Sequence, residues 1–104
     1  MIVRNAKLSE IDQLASIWYH GWRDAHADIL PAALARYRTL ESFMERLALL
    51  LSEVRVVDLE GRAAGFSITK NDELYQLYVS VESRGKGVAA ALLADAENRI
   101  AAHG

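Results

Sequence analysis

Cysteine is absent from the 104 residues, which excludes disulfides, thiolate metal sites and covalent catalysis through a cysteine thiol. Proline occurs once, at Pro31. Neither sign of charge is in real excess: 12 Lys+Arg against 14 Asp+Glu give a formal charge of −2. Such a chain has no global attraction to phosphate backbones or anionic lipid, so neither nucleic acid nor a membrane surface is expected as a partner. Long apolar runs are missing too. Neither Leu47 to Leu51 nor the alanine-rich Val88 to Ala94 approaches the roughly 20 residues that span a bilayer. The opening Met1-Ile2-Val3-Arg4-Asn5 lacks the apolar core of a signal peptide. What remains is ordinary globular composition, 52% hydrophobic and 25% charged. The expectation is one cytoplasmic domain over residues 1–104, with a single modest core.

Periodicity divides the chain into seven elements. Residues 1–6 read as a first strand (β1) with Ile2, Arg4 and Ala6 on one face. Ser9 reads as a helix N-cap with Asp12 completing a capping box. Behind it Ile11, Leu14, Ala15, Trp18 and Trp22 recur at helical spacing, giving a helix (α1) to about His20 that Gly21 weakens. Trp22 to Pro31 is polar and aromatic, a loop or a broken helix. A second helix (α2) starts near Ala32 or Leu40, with Leu40, Phe43, Met44, Leu47 and Leu51 as its seam. Residues 54–59 (β2) and 63–69 (β3) form a hairpin around Glu60-Gly61, and residues 73–81 form a further strand (β4) after the Asn71-Asp72 turn. Residues 88–103 form the last helix (α3), with Leu92, Ala96 and Ile100 on one stripe and Gly104 as its cap. The order β1-α1-α2-β2-β3-β4-α3 describes an α/β (α+β) domain with a mixed, mostly antiparallel sheet.

Chemistry concentrates where β4 feeds the loop Glu82-Ser83-Arg84-Gly85-Lys86-Gly87 into α3. A strand, a glycine turn and a helix N-terminus make an anion site, because the first-turn amides lack intrahelical partners and the helix dipole is positive there. Gly85 and Gly87 permit close backbone approach, Arg84 and Lys86 add charge, and Ala89, Ala90 and Ala91 keep the turn slim. A pyrophosphate suits such a cradle. Gly85-Lys86-Gly87-Val88-Ala89-Ala90 also fits a dinucleotide fingerprint, but the acidic ribose partner about 20 residues on is absent. The Walker pattern fails because no Ser or Thr follows Lys86.

Arg84-x-x-Gly87-x-Ala89 matches the pattern Q/R-x-x-G-x-G/A, with Leu77-Tyr78-Val79 before it and Ala91-Leu92-Leu93 after. This run resembles the acyl-CoA signature of the GNAT N-acetyltransferases, and the element order of the whole chain is similar to the N-terminal part of that fold. The resemblance implies acetyl-CoA as co-substrate, no metal, and direct transfer of acetyl to an amine. It implies a fourth strand with a bulge, beside which the pantetheine arm lies. Leu77, Tyr78 and Val79 would present backbone groups to the pantetheine and acetyl amides, with the Tyr78 amide as the oxyanion donor. Arg84, Gly85, Lys86, Gly87, Val88 and Ala89 would hold the pyrophosphate. The sequence departs from the family's pattern at Val81, where a proline is usual, and at Ser83, where an aromatic is common. The family continues with a fifth strand, a fourth helix bearing the tyrosine that protonates the leaving thiolate, and two more strands. The resemblance therefore implies the N-terminal two-thirds of a domain. An uncovered β4 edge then calls for a second copy of the chain, making a homodimer, or for a separate C-terminal fragment.

Single residues keep two readings each. Glu73 is a general base toward the incoming amine or a solvated strand-end carboxylate. Tyr75 and Trp22 line an acceptor pocket or pack as core. His20 and His26 lack a third ligand for a metal. Asp24 and Asp28 permit a cationic acceptor without demanding one. The alternative function is a truncated, non-catalytic module of the same fold that binds CoA or another partner.

Overall fold

The computed structural model describes residues 1–26 and 38–103. Its elements are β1 (Val3–Asn5), α1 (Ile11–His26), α2 (Leu40–Leu49), β2 (Val54–Leu59), β3 (Arg62–Lys70), β4 (Glu73–Val79) and α3 (Val88–His103), with short 3-10 turns before α1, after α2 and after β4. The strands form one antiparallel sheet in the order β1-β2-β3-β4. Each neighbour in sequence is thus a neighbour in space. The α/β class and the order of the described elements stand as expected.

Alternating side chains divide the core between two faces of the sheet. Val54, Val56, Phe66 and Ile68 meet Ile11, Leu14, Ala15 and Trp18 of α1 and Phe43 and Leu47 of α2. The Trp18 ring is the centre of that layer, 4.7 Å from Phe43 and 5.8 Å from Phe66. On the other face Val57 and Ala64 meet Val88 and Leu92 of α3. β3 is consequently covered on both sides and buried from Ala64 to Thr69, whereas β4 at the sheet edge is only half-buried.

Several local expectations change. Ser9 is not the cap; it lies inside the 3-10 turn Leu8–Glu10. Glu10, not Asp12, reaches back to accept from the Lys7 backbone amide at 2.8 Å. The same carboxylate and Asp58 both bind Arg4, at 2.8–2.9 Å, tying β1, β2 and the start of α1 together. α1 does not end near His20 but runs through Gly21 to His26. Trp22 to His26 is its last turn, and the remainder of the expected loop, to Pro31, lies outside the described residues, as do Ala32 and Gly104. α2 starts at Leu40, where the Thr39 hydroxyl accepts from the Ser42 amide. Leu40 is half-exposed rather than part of the seam, and Leu51 sits in the following turn. Ile2 and Val81 fall outside β1 and β4 and are exposed. No helix among the described residues is long and apolar enough to cross a membrane.

Candidate functional site

The end of β4 is held by its own short turn. The Ser80 amide donates to the Ala64 carbonyl at 2.8 Å, and the Ser80 and Ser83 hydroxyls are 2.8 Å apart with Ser83 buried. This serine pair ties the two ends of the turn together across the exposed Val81 and Glu82. Gly85 and Gly87 follow at φ of 78° and 87°, a conformation that side chains with a Cβ resist. The first helical bond of α3 runs from the Ala91 amide to the Gly87 carbonyl at 3.1 Å, so the amides of Val88, Ala89 and Ala90 precede the ladder. Val88 points its side chain into the core and anchors the turn, while Ala89 and Ala90 are exposed. Arg84 and Lys86 are both exposed; Arg84 shares a cavity with Ala89 and Ala90, and Lys86 shares another with Leu59, Glu60 and Arg62.

A groove runs through this turn. One cavity of about 230 Å³ is lined by Val79, Arg84, Gly85, Gly87, Ala89 and Ala90. It shares Val79 and Arg84 with a second, of about 180 Å³, that continues along Ser80 to His20 and Gly21 of α1. The groove thus starts at Val79, the last residue of β4, and is closed at one end by the helix N-terminus.

The register of β4 decides which backbone groups face the free edge of the sheet that leads to it. Gly65, Phe66, Ser67 and Ile68 pair with Val79, Tyr78, Leu77 and Gln76. Because Ser80 donates to Ala64, hydrogen-bonded pairs fall on alternate residues, at Ser80, Tyr78 and Gln76. Leu77 and Val79 therefore turn their N–H and C=O groups to the outer edge, where no strand lies among the described residues. This corrects one expectation. The Tyr78 amide is directed at Phe66 inside the sheet, so it is not the edge donor; its two neighbours are.

A bulge further along β4 reorients its side chains. Between Ile68 and Thr69 the partner jumps from Gln76 to Leu74, leaving Tyr75 as the extra residue. Tyr75 and Tyr78, three apart, thereby pack against the same α1/α2 layer, while Leu77 and Val79 pack toward α3. Tyr78 lies between Phe66 and Trp18, and burial pushes its phenol above the ordinary range. Its ring occupies the space a side chain at residue 21 would need: a Cβ there would sit 2.5 Å from Tyr78 Cδ1. Gly21 is the close-approach point of α1 on β4. Gly65 plays the same part for α3, since a Cβ would sit 2.8 Å from Val88 Cγ1 and 2.9 Å from the Tyr78 carbonyl oxygen.

The remaining candidates are spread out. Glu73 is exposed at the start of β4, in register with Lys70 and about 13 Å of extended strand from Leu77. Trp22 is half-buried against Phe43 and His26. Tyr75 accepts a hydrogen bond from Arg46 Nη2. Arg46, Gly21, Gly65 and the serine pair were not singled out from sequence as parts of this site.

Residues 26–104 match the sequence profile of a family described as an acetyltransferase (GNAT) domain. Among solved structures, a GCN5-related N-acetyltransferase from Rhodopseudomonas palustris aligns over 97% of this chain and 66% of its own, with TM-score 0.75 and 20% identity. YjaB from Escherichia coli, solved in solution in its apo form, aligns over 95% and 67%, with TM-score 0.69 and 25% identity. The PaiA N-acetyltransferase from Thermoplasma acidophilum, solved in complex with coenzyme A, aligns over 97% and 72%, with TM-score 0.71 and 17% identity. The chain thus spans about two thirds of the length of the structures it resembles. No curated protein matches the sequence.

Proposed function

The chain belongs to the GNAT acetyltransferase family, and from that premise we propose that residues 1–104 belong to one acetyltransferase domain that carries acetyl from acetyl-CoA to an amine. The observation that carries this reading is the groove itself. Outward backbone groups of Leu77 and Val79 lead, within one strand, to the unladdered amides of Val88, Ala89 and Ala90. A ligand with repeated amides and a pyrophosphate at one end matches that sequence of donors and acceptors. The fit is chemical as well: Gly85 and Gly87 present no side chain to the anion, and Arg84 lines the same cavity, whereas Lys86 lines a separate one with Leu59, Glu60 and Arg62.

In the proposed reaction the amine nitrogen forms the new bond to the acetyl carbon, the carbon–sulfur bond breaks, and the departing thiolate gains, through solvent, the proton that the acylated nitrogen sheds. An edge N–H of Leu77 or Val79 stabilises the charge that develops on the carbonyl oxygen. Glu73, through water, takes the proton that the ammonium sheds before attack. Its exposed position, well along the strand from Leu77, also supports the second reading, a domain that binds CoA without transfer. The same open edge supports self-association: two copies pair along β4 when no ligand occupies it.

Calorimetry with CoA tests binding, and thiol release from acetyl-CoA with an amine panel tests transfer. Because the chain holds no cysteine, the freed CoA is the only thiol in the assay. Binding with release supports the enzyme; binding without release supports the module; no binding overturns both.

A further inference from the structure

The α1/α2 side of β4 gathers positive charge around a single tyrosine. Arg46 of α2 donates from Nη2 to the Tyr75 hydroxyl. Its guanidinium carbon lies 5.0 Å from the Trp18 ring centroid and 5.9 Å from that of Tyr75. The Lys70 ammonium lies 4.3 Å from the Tyr75 ring centroid. Two cations therefore face one ring, and like charges so placed repel unless an anion offsets them. Among the described residues neither is within ion-pair distance of a carboxylate; the pairs there are Arg4 with Glu10 and Asp58, and Arg99 with Glu53. Glu73 opposes Lys70 in register and Glu45 precedes Arg46, but both are exposed. Cation–π contact stabilises each charge only modestly and leaves the donors unused. Arg46 makes one of its hydrogen bonds, to Tyr75, so most of its planar fork stays available for a carboxylate.

The location is what gives this cluster meaning. Tyr75 is the bulged residue, two positions from Leu77, hence about 7 Å along the strand from the edge groups proposed to hold the acetyl carbonyl. We propose that the acceptor is an amine that also carries a carboxylate, an amino acid in the simplest case, with Arg46 and Lys70 holding the carboxylate. This rests on the reading of β4 as the acetyl-binding edge. It reverses the charge that Asp24 permits: Asp24 is exposed near the end of α1, whereas Arg46 and Lys70 stand at the strand.

The test titrates the protein with and without saturating CoA against each common amino acid and its carboxamide, with O-phosphoethanolamine and spermidine as probes of other charge. At least one amino acid should bind, its carboxamide should bind about tenfold or more weakly, and spermidine should not compete. Arg46→Gln should erase the acid-over-amide preference, a loss of about ten- to a hundredfold for the acid, while CoA affinity holds and the melting temperature drops by only a few degrees for the lost Tyr75 and Trp18 contacts. Arg46→Lys, which keeps the charge but not the fork, should fall between, and Lys70→Gln should reduce the preference by a smaller factor. Acids bound no better than amides, tighter binding of spermidine or O-phosphoethanolamine, no amino acid bound, or an unchanged preference in both Arg46 variants would overturn the proposal. Amino-acid binding without CoA binding would instead remove the acetyltransferase reading and leave the carboxylate site standing.

Discussion

Gly65→Ala is the substitution on which the packing of β4 against α3 turns. The backbone at Gly65 is not in the left-handed region, so alanine meets no conformational barrier there, only a steric one. Its methyl would lie 2.8 Å from Val88 Cγ1, 2.9 Å from the Tyr78 carbonyl oxygen and 3.3 Å from Leu92 Cδ1. The two leucine and valine methyls can shift; the carbonyl, part of the β3–β4 ladder, cannot without moving the strand. Overpacking of this kind costs about 1–3 kcal/mol. For a domain of this size that is a fall of roughly 4–15 °C in melting temperature, read by circular dichroism. The same adjustment separates the start of α3 from β4, so CoA affinity should fall as well. Gly85→Ala is the control, since nothing lies within 4 Å of a Cβ there and only the φ of 78° opposes it. It should lose about 1 kcal/mol. In a Val88→Ala background the cost of Gly65→Ala should shrink but persist, because the carbonyl contact remains. A Gly65→Ala protein that melts with the wild type, or one no less stable relative to Val88→Ala, would refute the packing argument.

Three further outcomes follow from other contacts. Gly21→Ala should destabilise despite the helix propensity it gains, about 1 kcal/mol in alanine's favour, because Tyr78 is held between Trp18 and Phe66; a net gain in melting temperature would show the ring free to move. Arg4 holds the Glu10 and Asp58 carboxyls below their ordinary range in the folded state, so its contribution is present above about pH 4–5 and lost as the pH falls through the lowered values. Arg4→Gln should therefore lose stability at pH 7, by about 1 kcal/mol given solvent screening, and show a flatter acid limb in urea titrations between about pH 5 and 2; parallel curves would discount the triad. Gly87→Val forces a β-branched residue to a φ of 87° and should abolish CoA binding in calorimetry with only a modest loss of stability, while unchanged affinity would remove the pyrophosphate assignment.

The fold was legible because its signals are local. The period of Ile11, Leu14, Ala15 and Trp18, the Glu60-Gly61 and Asn71-Asp72 turns, and the alanine-rich run from Val88 each declare their element within a few residues. The glycine loop was legible for the same reason. What sequence hid are contacts between distant segments. Gly21 reads as a weak helix end, yet Tyr78, far along the chain, makes glycine necessary in mid-helix. Nothing within Ala63-Ala64-Gly65-Phe66 shows that Gly65 must clear Val88 and a carbonyl. Simple alternation sends Tyr75 and Tyr78 to opposite faces; the bulge brings them together. The assignment of the edge donor missed by one residue because parity is set by pairing with β3, which β4 alone does not reveal.

The central claim is that the free edge of β4 carries the ligand through Leu77 and Val79, and backbone amide exchange measures it residue by residue. Before ligand is added, the Tyr78 amide should exchange slowly, as a group inside the sheet, and those of Leu77 and Val79 quickly. With saturating CoA, the account predicts protection and shifted resonances at Leu77 or Val79 and at Val88, Ala89 and Ala90, with Tyr78 unchanged. Leu77 and Val79 amides that stay as open as before, in protein shown by calorimetry to be fully bound, would contradict it.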